Sequence, residues 1–184
     1  MKQIFFVTLL AAGITVFAQA HPAKASDSPK QKAKAISDEL TRMRSERAAS
    51  LKESGNAVTP ELFKETCGAV KKRAMEISKK EGVKIRHAAI KNRNPDHAAT
   101  EDEIKFHNFF NENSKEESIW NKVTIEGKVY SRYVSPIYVE PGCLLCHGEK
   151  EKRPQFIQKK YPEDKAYGFK EGDLRGIIEV MLPL

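Results

Sequence analysis

The chain has 184 residues and a formal net charge of +7, from 32 lysine and arginine residues against 25 aspartate and glutamate residues. This length fits one ordinary domain that is large enough to bury a hydrophobic core. Basic residues alternate with acidic ones along most of the chain, whereas a nucleic-acid-binding protein concentrates basic residues on one face. The sequence therefore favours no nucleic-acid partner and leaves an acidic protein partner open.

The first twenty residues have the features of a secretory signal peptide. Lys2 provides a positive start, residues 4–17 are mostly apolar, and Ala18-Gln19-Ala20 is a small-x-small cleavage site. The apolar run is shorter than the ~20 residues that a membrane-spanning helix needs, although a retained N-terminal anchor is the alternative. We expect cleavage after Ala20, which gives a mature periplasmic chain with no membrane span.

Helix signals dominate the first half of the chain. Ser28-Pro29 and Thr59-Pro60 each place a capping side chain before a proline at the first helical position. The first helix should end near residue 54. The second should continue to about residue 81, with Cys67 on its buried face. A third helix is expected from Thr100, which has capping-box spacing to the glutamate three residues later.

The second half of the chain has the composition of strands. Residues 118–125 and 129–139 are rich in Val, Ile, Tyr and Trp and flank Glu126-Gly127-Lys128, which predicts a hairpin. Two further strands are expected at residues 83–90 and 174–182, and a short helix is expected at residues 155–161.

The order of these elements predicts the fold class and the domain organisation. Helices first and mostly strands later indicate an α+β domain with an antiparallel sheet. Residues 1–20 are assigned to the signal peptide, residues 21–58 to a leader and N-terminal helix, and residues 59–184 to the main domain.

The strongest motif is Cys143-Leu144-Leu145-Cys146-His147. Two thiols at this spacing can add to the two vinyl groups on one edge of a porphyrin, and the histidine that follows becomes an axial ligand of the iron. Export supports this interpretation, because c-type haem is attached outside the cytoplasm. A disulfide or a zinc site is the alternative, but no second Cys or His pair has zinc spacing. One motif predicts one covalent haem c.

The second axial ligand is left open by the residues alone. Cys67 has no intramolecular disulfide partner once Cys143 and Cys146 hold a haem, and iron coordination would explain a free thiol in an oxidising compartment. A small buried hydrophobe is the other explanation for this cysteine, so the residues favour it only slightly. The remaining candidates are His21, His87, His97, His107, Met43, Met75 and Met181.

Several segments carry a resemblance to a known family. They are Glu65-Thr66-Cys67, Gly82-Val83-Lys84-Ile85-Arg86, Lys91-Asn92-Arg93-Asn94-Pro95, the haem motif followed by Gly148, and residues 161–176. Together they resemble the PAS-like haem c domain of cyanobacterial and proteobacterial exported proteins, over residues 59–180. The resemblance implies a PAS-like antiparallel sheet with flanking helices, in addition to the long N-terminal helix.

The resemblance also implies an axial ligand pair of one histidine and one cysteine. His147 would be the proximal ligand, and the position of the cysteine matches Cys67. A thiolate ligand donates electron density and stabilises ferric iron, so a low potential is expected. The chain departs from the family pattern at His97 and at Ala98-Ala99, which keeps His97 as a competing ligand, with His107 as another.

Three arginines are candidates for contact with the haem propionates, because arginine satisfies a carboxylate with paired hydrogen bonds. Arg93 ranks first, since it precedes an Asn-Pro turn inside a family-like segment, and Arg86 ranks second for the same reason. Arg132 follows from its place on the strand that leads towards the haem motif. The alternative for each arginine is an exposed charge.

Two functions are compatible with a single exported haem. The first is a redox or small-ligand sensor, in which a six-coordinate haem loses one weak ligand and a redox or signalling protein receives the signal. The alternative is a soluble electron-transfer cytochrome. An enzyme such as a peroxidase is not expected, because no signature for it is present and two protein ligands would block the substrate position. The sequence predicts no oligomeric state.

Overall fold

The computed structural model of the chain describes residues 28–184. The predicted signal peptide, its cleavage site and most of the leader therefore lie outside the described residues. Between residues 28 and 184, no helix has both the length and the apolar character needed to cross a membrane.

The long N-terminal helix is confirmed as α1, Pro29–Glu53. Its start is a capping box: the Ser28 hydroxyl accepts from the Gln31 backbone N–H, and the Gln31 side chain accepts from the Ser28 N–H at 2.9 Å. One stripe of the helix is buried, and its members are Ala33, Ile36, Ser37, Leu40, Ala48 and Leu51. This stripe holds α1 against the body of the protein.

The second predicted helix is present but contains a turn that the sequence did not predict. It consists of α2, Pro60–Phe63, a π-helical segment, Lys64–Gly68, and α3, Ala69–Glu81. Cys67 lies in the π-helical segment and is exposed, so its predicted place on the buried face is wrong. A π turn holds more residues than an α-turn and shifts the phase of the helix, which takes Cys67 off the stripe that spacing alone assigns to it.

Four strands form one antiparallel sheet. They are β1, Lys84–Ala88, β2, Ile119–Ile125, β3, Lys128–Tyr138, and β4, Leu174–Pro183. The sheet order is β1-β4-β3-β2, so the last strand of the chain lies between the first and the third. The predicted hairpin joins β2 to β3 through Glu126 and Gly127, both with positive φ, as a two-residue hairpin turn requires.

The remaining helices are short, apart from α4, Glu101–Glu112. The haem motif begins at the end of a 3₁₀ turn, Pro141–Cys143, and continues into α5, Leu144–His147. The short helix α6 covers Gln155–Lys160, as the sequence predicted to within one residue.

Each face of the sheet packs against different helices. Tyr133, Ile178 and Val180 belong to a core with residues of α1 and α3. Val134 and Ile177, which alternate with them along the strands, pack with Phe110 of α4 on the other side. The predicted α+β fold with an antiparallel sheet and flanking helices is therefore confirmed.

Close packing places the haem motif directly against α1. A Cβ atom at Gly142 would lie 2.0 Å from the carbonyl oxygen of Ala48, so only glycine allows this approach. Beside it, the Ser45 hydroxyl donates to Glu140 Oε1 at 2.5 Å. The long helix thus forms one wall of the region that holds Cys143.

The face that packs on α4 contains a buried network of charges. Arg132 Nη1 lies 2.8 Å from Asp102 Oδ2 and 3.5 Å from Glu179 Oε1, and Arg86 pairs with Glu103. Glu179 is only 3% exposed, and burial raises the pKa of its carboxyl group to about 7. Ionised Glu179 is therefore a destabilising element of the folded state despite its arginine partner.

Glu179→Gln should change how the stability of the protein depends on pH. The carboxyl group ionises at lower pH in the unfolded chain than in the folded one, so its presence lowers the unfolding free energy as pH rises from about 4.5 to about 7. Relative to the native protein, the variant should become more stable over this interval, by at most about 3 kcal/mol. Denaturant unfolding at pH 4.5 and pH 8 measures the difference, with the exposed Glu112→Gln on α4 as control. An unfolding free-energy difference that is the same at both pH values would contradict the raised pKa.

Candidate functional site

The candidate site lies where β1 and β3 end and β4 begins. Backbone hydrogen bonds tie three chain segments together there. Lys165 N–H donates to the Asn92 carbonyl at 3.0 Å, and Phe169 N–H donates to the His147 carbonyl at 3.1 Å. Because each segment holds its neighbour, the haem motif has a fixed position relative to the loop after β1.

A buried carboxylate is the centre of this arrangement. The Asp164 side chain is 1% exposed, and its Oδ2 accepts from Arg93 Nε at 3.1 Å and from Arg153 Nη1 at 2.6 Å. Its Oδ1 accepts from the Ala166 backbone N–H at 2.8 Å. Both oxygens of the carboxylate are therefore engaged, and the Ala166 peptide is held in one orientation.

The His147 imidazole is oriented by that peptide. Its Nδ1 lies 2.8 Å from the Ala166 carbonyl oxygen, and a carbonyl can only accept, so Nδ1 carries the hydrogen and Nε2 carries the lone pair. Burial, and after it the positive charges of Arg175 and Arg93, holds the pKa of His147 well below its usual value near 6.5. The imidazole is therefore neutral at pH 7 and has a free lone pair at Nε2. Phe169 packs edge-on to the ring, with 6.2 Å between ring centroids.

Arg93 contacts the last two residues of the haem motif, Cys146 and His147. Its side chain is 8% exposed, and Nη2 donates to the Cys146 carbonyl at 2.6 Å and lies 3.4 Å from His147 Nδ1. Two of the three guanidinium nitrogens, Nε and Nη2, bond to protein acceptors, whereas Nη1 has no hydrogen-bond partner among the described residues. The structure thus brings Arg93 to the site, beside the imidazole, and its contact with a haem propionate stays a prediction.

The three cysteines of the described chain gather at the same place. Burial raises the pKa of Cys146 to about 11 against the opposing charge of Arg93, and the nearby thiols of Cys67 and Cys143 add to the rise. Cys67 has exposed surface, yet crowding by protein raises the pKa of its thiol, against the opposing effect of Arg44. Cys67 therefore has solvent access and lies within electrostatic range of Cys143 and Cys146.

Arg86 and Arg132 lie elsewhere, on the face of the sheet that packs on α4. Arg86 donates to the Asp96 carbonyl at 2.9 Å and the Ala98 carbonyl at 2.8 Å in addition to its ion pair, and Arg132 Nε donates to Asn121 at 3.0 Å. Both guanidinium groups are occupied by fold-supporting contacts. The structure therefore gives them a different task from the propionate contacts that the sequence suggested.

The competing histidine ligands are also placed by the fold. His97 ends the 3₁₀ turn Pro95–His97, and its ring centroid is 6.2 Å from that of His87. His107 lies on α4, the helix of the opposite face. Neither has the orienting carbonyl contact that His147 has among the described residues.

Four charged residues at the candidate site escaped the sequence analysis: Asp164, Arg153, Arg44 and Arg175. Asp164 and Arg175 stand in the family-like segment 161–176, but nothing in the sequence showed that Asp164 is buried or that Arg175 lies near the haem motif. Arg44 had a usable signal, because it falls on the apolar stripe of α1 between Leu40 and Ala48. A charge at a core position of a helix indicates a buried partner.

Comparison with known proteins agrees with the observed fold. Residues 22–183 match the Tll0287-like family. A similar solved structure is the crystal structure of the cyanobacterial haem protein Tll0287, with 39% sequence identity and a TM-score of 0.72, over 85% of this chain and 96% of that chain. No curated protein matches the chain. A family match over nearly the whole described length, together with this identity, confirms the expected kinship: the chain belongs to the Tll0287-like family.

Proposed function

We propose that this chain is an exported, periplasmic protein that carries one covalent haem c and acts as a redox or small-ligand sensor. The observation that carries the haem assignment is the neutral His147 imidazole, which donates Nδ1–H to a carbonyl and presents Nε2 as a lone pair. Histidines that bind metals almost always have this second hydrogen bond. The similarity to a protein described as a haem protein supports the same assignment.

The residues at the site fit a c-type haem. Cys143 and Cys146 stand one helical turn apart and would hold the porphyrin through thioether bonds, and His147 and Cys67 would be the ligands of the iron. Bound there, the haem would supply an iron that alternates between the ferric and ferrous states. Arg93 is proposed as a positioning residue, which keeps the His147 ring and the Cys146 peptide in place.

The placement of Cys67 favours a sensor over a simple electron carrier. Its π-helical segment is a type of turn that occurs often at functional sites, and one residue of register separates it from an ordinary α-helix. Arg47 of α1 donates to the Glu65 carbonyl at 2.6 Å, which ties this segment to the long helix. A shift of Cys67 therefore has a direct mechanical route to α1, whereas an electron carrier needs a rigid site.

Covalent attachment is the first expectation to test. Protein made together with a haem-maturation system should have the mass of the mature chain plus one haem, and the haem should stay bound after denaturation. The double variant Cys143→Ser, Cys146→Ser should lose it. A native protein whose intact mass equals that of the bare chain would rule out c-type attachment.

Cys67→Ala should remove the thiolate character of the ferric absorption and electron paramagnetic resonance spectra, with the haem still attached. Thr66→Ala, on the same π-helical segment, should keep the native spectra. If the Cys67→Ala spectra match those of the native protein, Cys67 is not a ligand and His97 or His107 becomes the better candidate.

The native protein and Cys67→Ala also distinguish a sensor from an electron carrier. A sensor releases Cys67 on reduction, so the reduced native protein should bind carbon monoxide rapidly, at a rate near that of Cys67→Ala. A reduced native protein that stays six-coordinate and excludes carbon monoxide, while Cys67→Ala binds it, would support electron transfer instead.

A further inference from the structure

Two half-buried arginines at the candidate site have no carboxylate partner among the described residues. Arg44 Nη1 and Arg175 Nε are both buried without a hydrogen-bond partner. Leaving a cationic group buried and incompletely bonded is costly, and proteins normally supply an anion in such places.

The nearby acidic groups are already engaged. Asp164 is occupied by Arg93 and Arg153, and Glu140, which is close enough to affect Arg44 electrostatically, accepts from the Ser45 hydroxyl. Within residues 28–184, this region therefore has only two carboxylates, those of Asp164 and Glu140, for four arginines: Arg44, Arg93, Arg153 and Arg175. Two positive charges are left without a counter-charge.

Both arginines belong to the region of the haem motif. The positive charge of Arg44 opposes the rise in pKa that burial causes at the Cys67 and Cys143 thiols. The charge of Arg175 opposes the same rise at Cys143 and lowers the pKa of His147. Arg175 is also fixed in place, because Nη1 donates to the Lys91 carbonyl at 3.0 Å and its guanidinium group stacks on Phe169 at 5.4 Å from the ring centroid. Arg44 is held by α1, the helix that packs on the turn before Cys143.

We infer that Arg44 and Arg175 bind the two propionate groups of the haem. This inference rests on the proposed function, since it needs a haem at the site. A c-type haem brings two carboxylates, and the site has two unpaired guanidinium groups that suit carboxylates in charge and geometry. Of the three earlier candidates, Arg86 and Arg132 are already paired on the other face of the sheet, and Arg93 is paired with Asp164.

The test compares Arg44→Gln and Arg175→Gln with the native protein and with Arg42→Gln. Arg42 lies on the same helix as Arg44 and forms an exposed pair with Glu46. Loss of a buried cation near the haem favours the more positively charged ferric iron, so the two test variants should have lower midpoint potentials and Arg42→Gln should not. The propionate bending band in the resonance Raman spectrum should shift in the same two variants.

Conservative variants cover the case in which a glutamine variant does not fold. Arg44→Lys and Arg175→Lys keep the charge but lose the paired geometry, so the midpoint should stay near the native value while the propionate band shifts. Native midpoints and native bands in all four variants would overturn the inference. Intact mass separates the two levels of failure: a native protein without attached haem contradicts the proposed function, whereas attached haem with unchanged bands contradicts only the role of these arginines.

Discussion

The buried ion pairs of Asp164 are the interaction on which the rest of the site depends. This carboxylate joins the loop after β1, through Arg93, to the segment before β4, through its own backbone and Arg153. By fixing the Ala166 peptide, it also selects the tautomer of His147. A site of this kind is preorganised, because the His147 imidazole has its orientation before any metal is bound.

The charges of the candidate site are distinct from a second group of charges on the α4 face of the sheet. On that face, Arg86 pairs with Glu103 and Arg132 pairs with Asp102, and both ion pairs join α4 to the strands. At the candidate site, α1 packs on the turn before Cys143 and is bonded to the π-helical segment through Arg47. Arg86 and Arg132 have carboxylate partners, whereas Arg44 and Arg175 have none in the described part of the chain. The sequence does not show this difference, which determines which arginines are able to bind a ligand.

Local chemistry made much of the fold predictable from sequence. The caps at Ser28 and Thr100 and the hairpin turn at Glu126-Gly127 depend on neighbouring residues, so their elements were correctly expected. The π turn was not, because it is selected by packing between distant segments, and Cys67 was misplaced as a result. The motif Cys143 to His147 identified the centre of the site, whereas the roles of Arg93 and Asp164 depend on contacts about 70 residues apart in the chain.

A crystal structure of the haem-loaded protein tests the central claim most directly, that Asp164 and Arg93 hold His147 ready for the iron. The account predicts iron bound to His147 Nε2, with Nδ1 still about 2.8 Å from the Ala166 carbonyl and Arg93 Nε still on Asp164. Iron bound to another residue in place of His147, or Arg93 turned away from Asp164 towards a propionate, would contradict it.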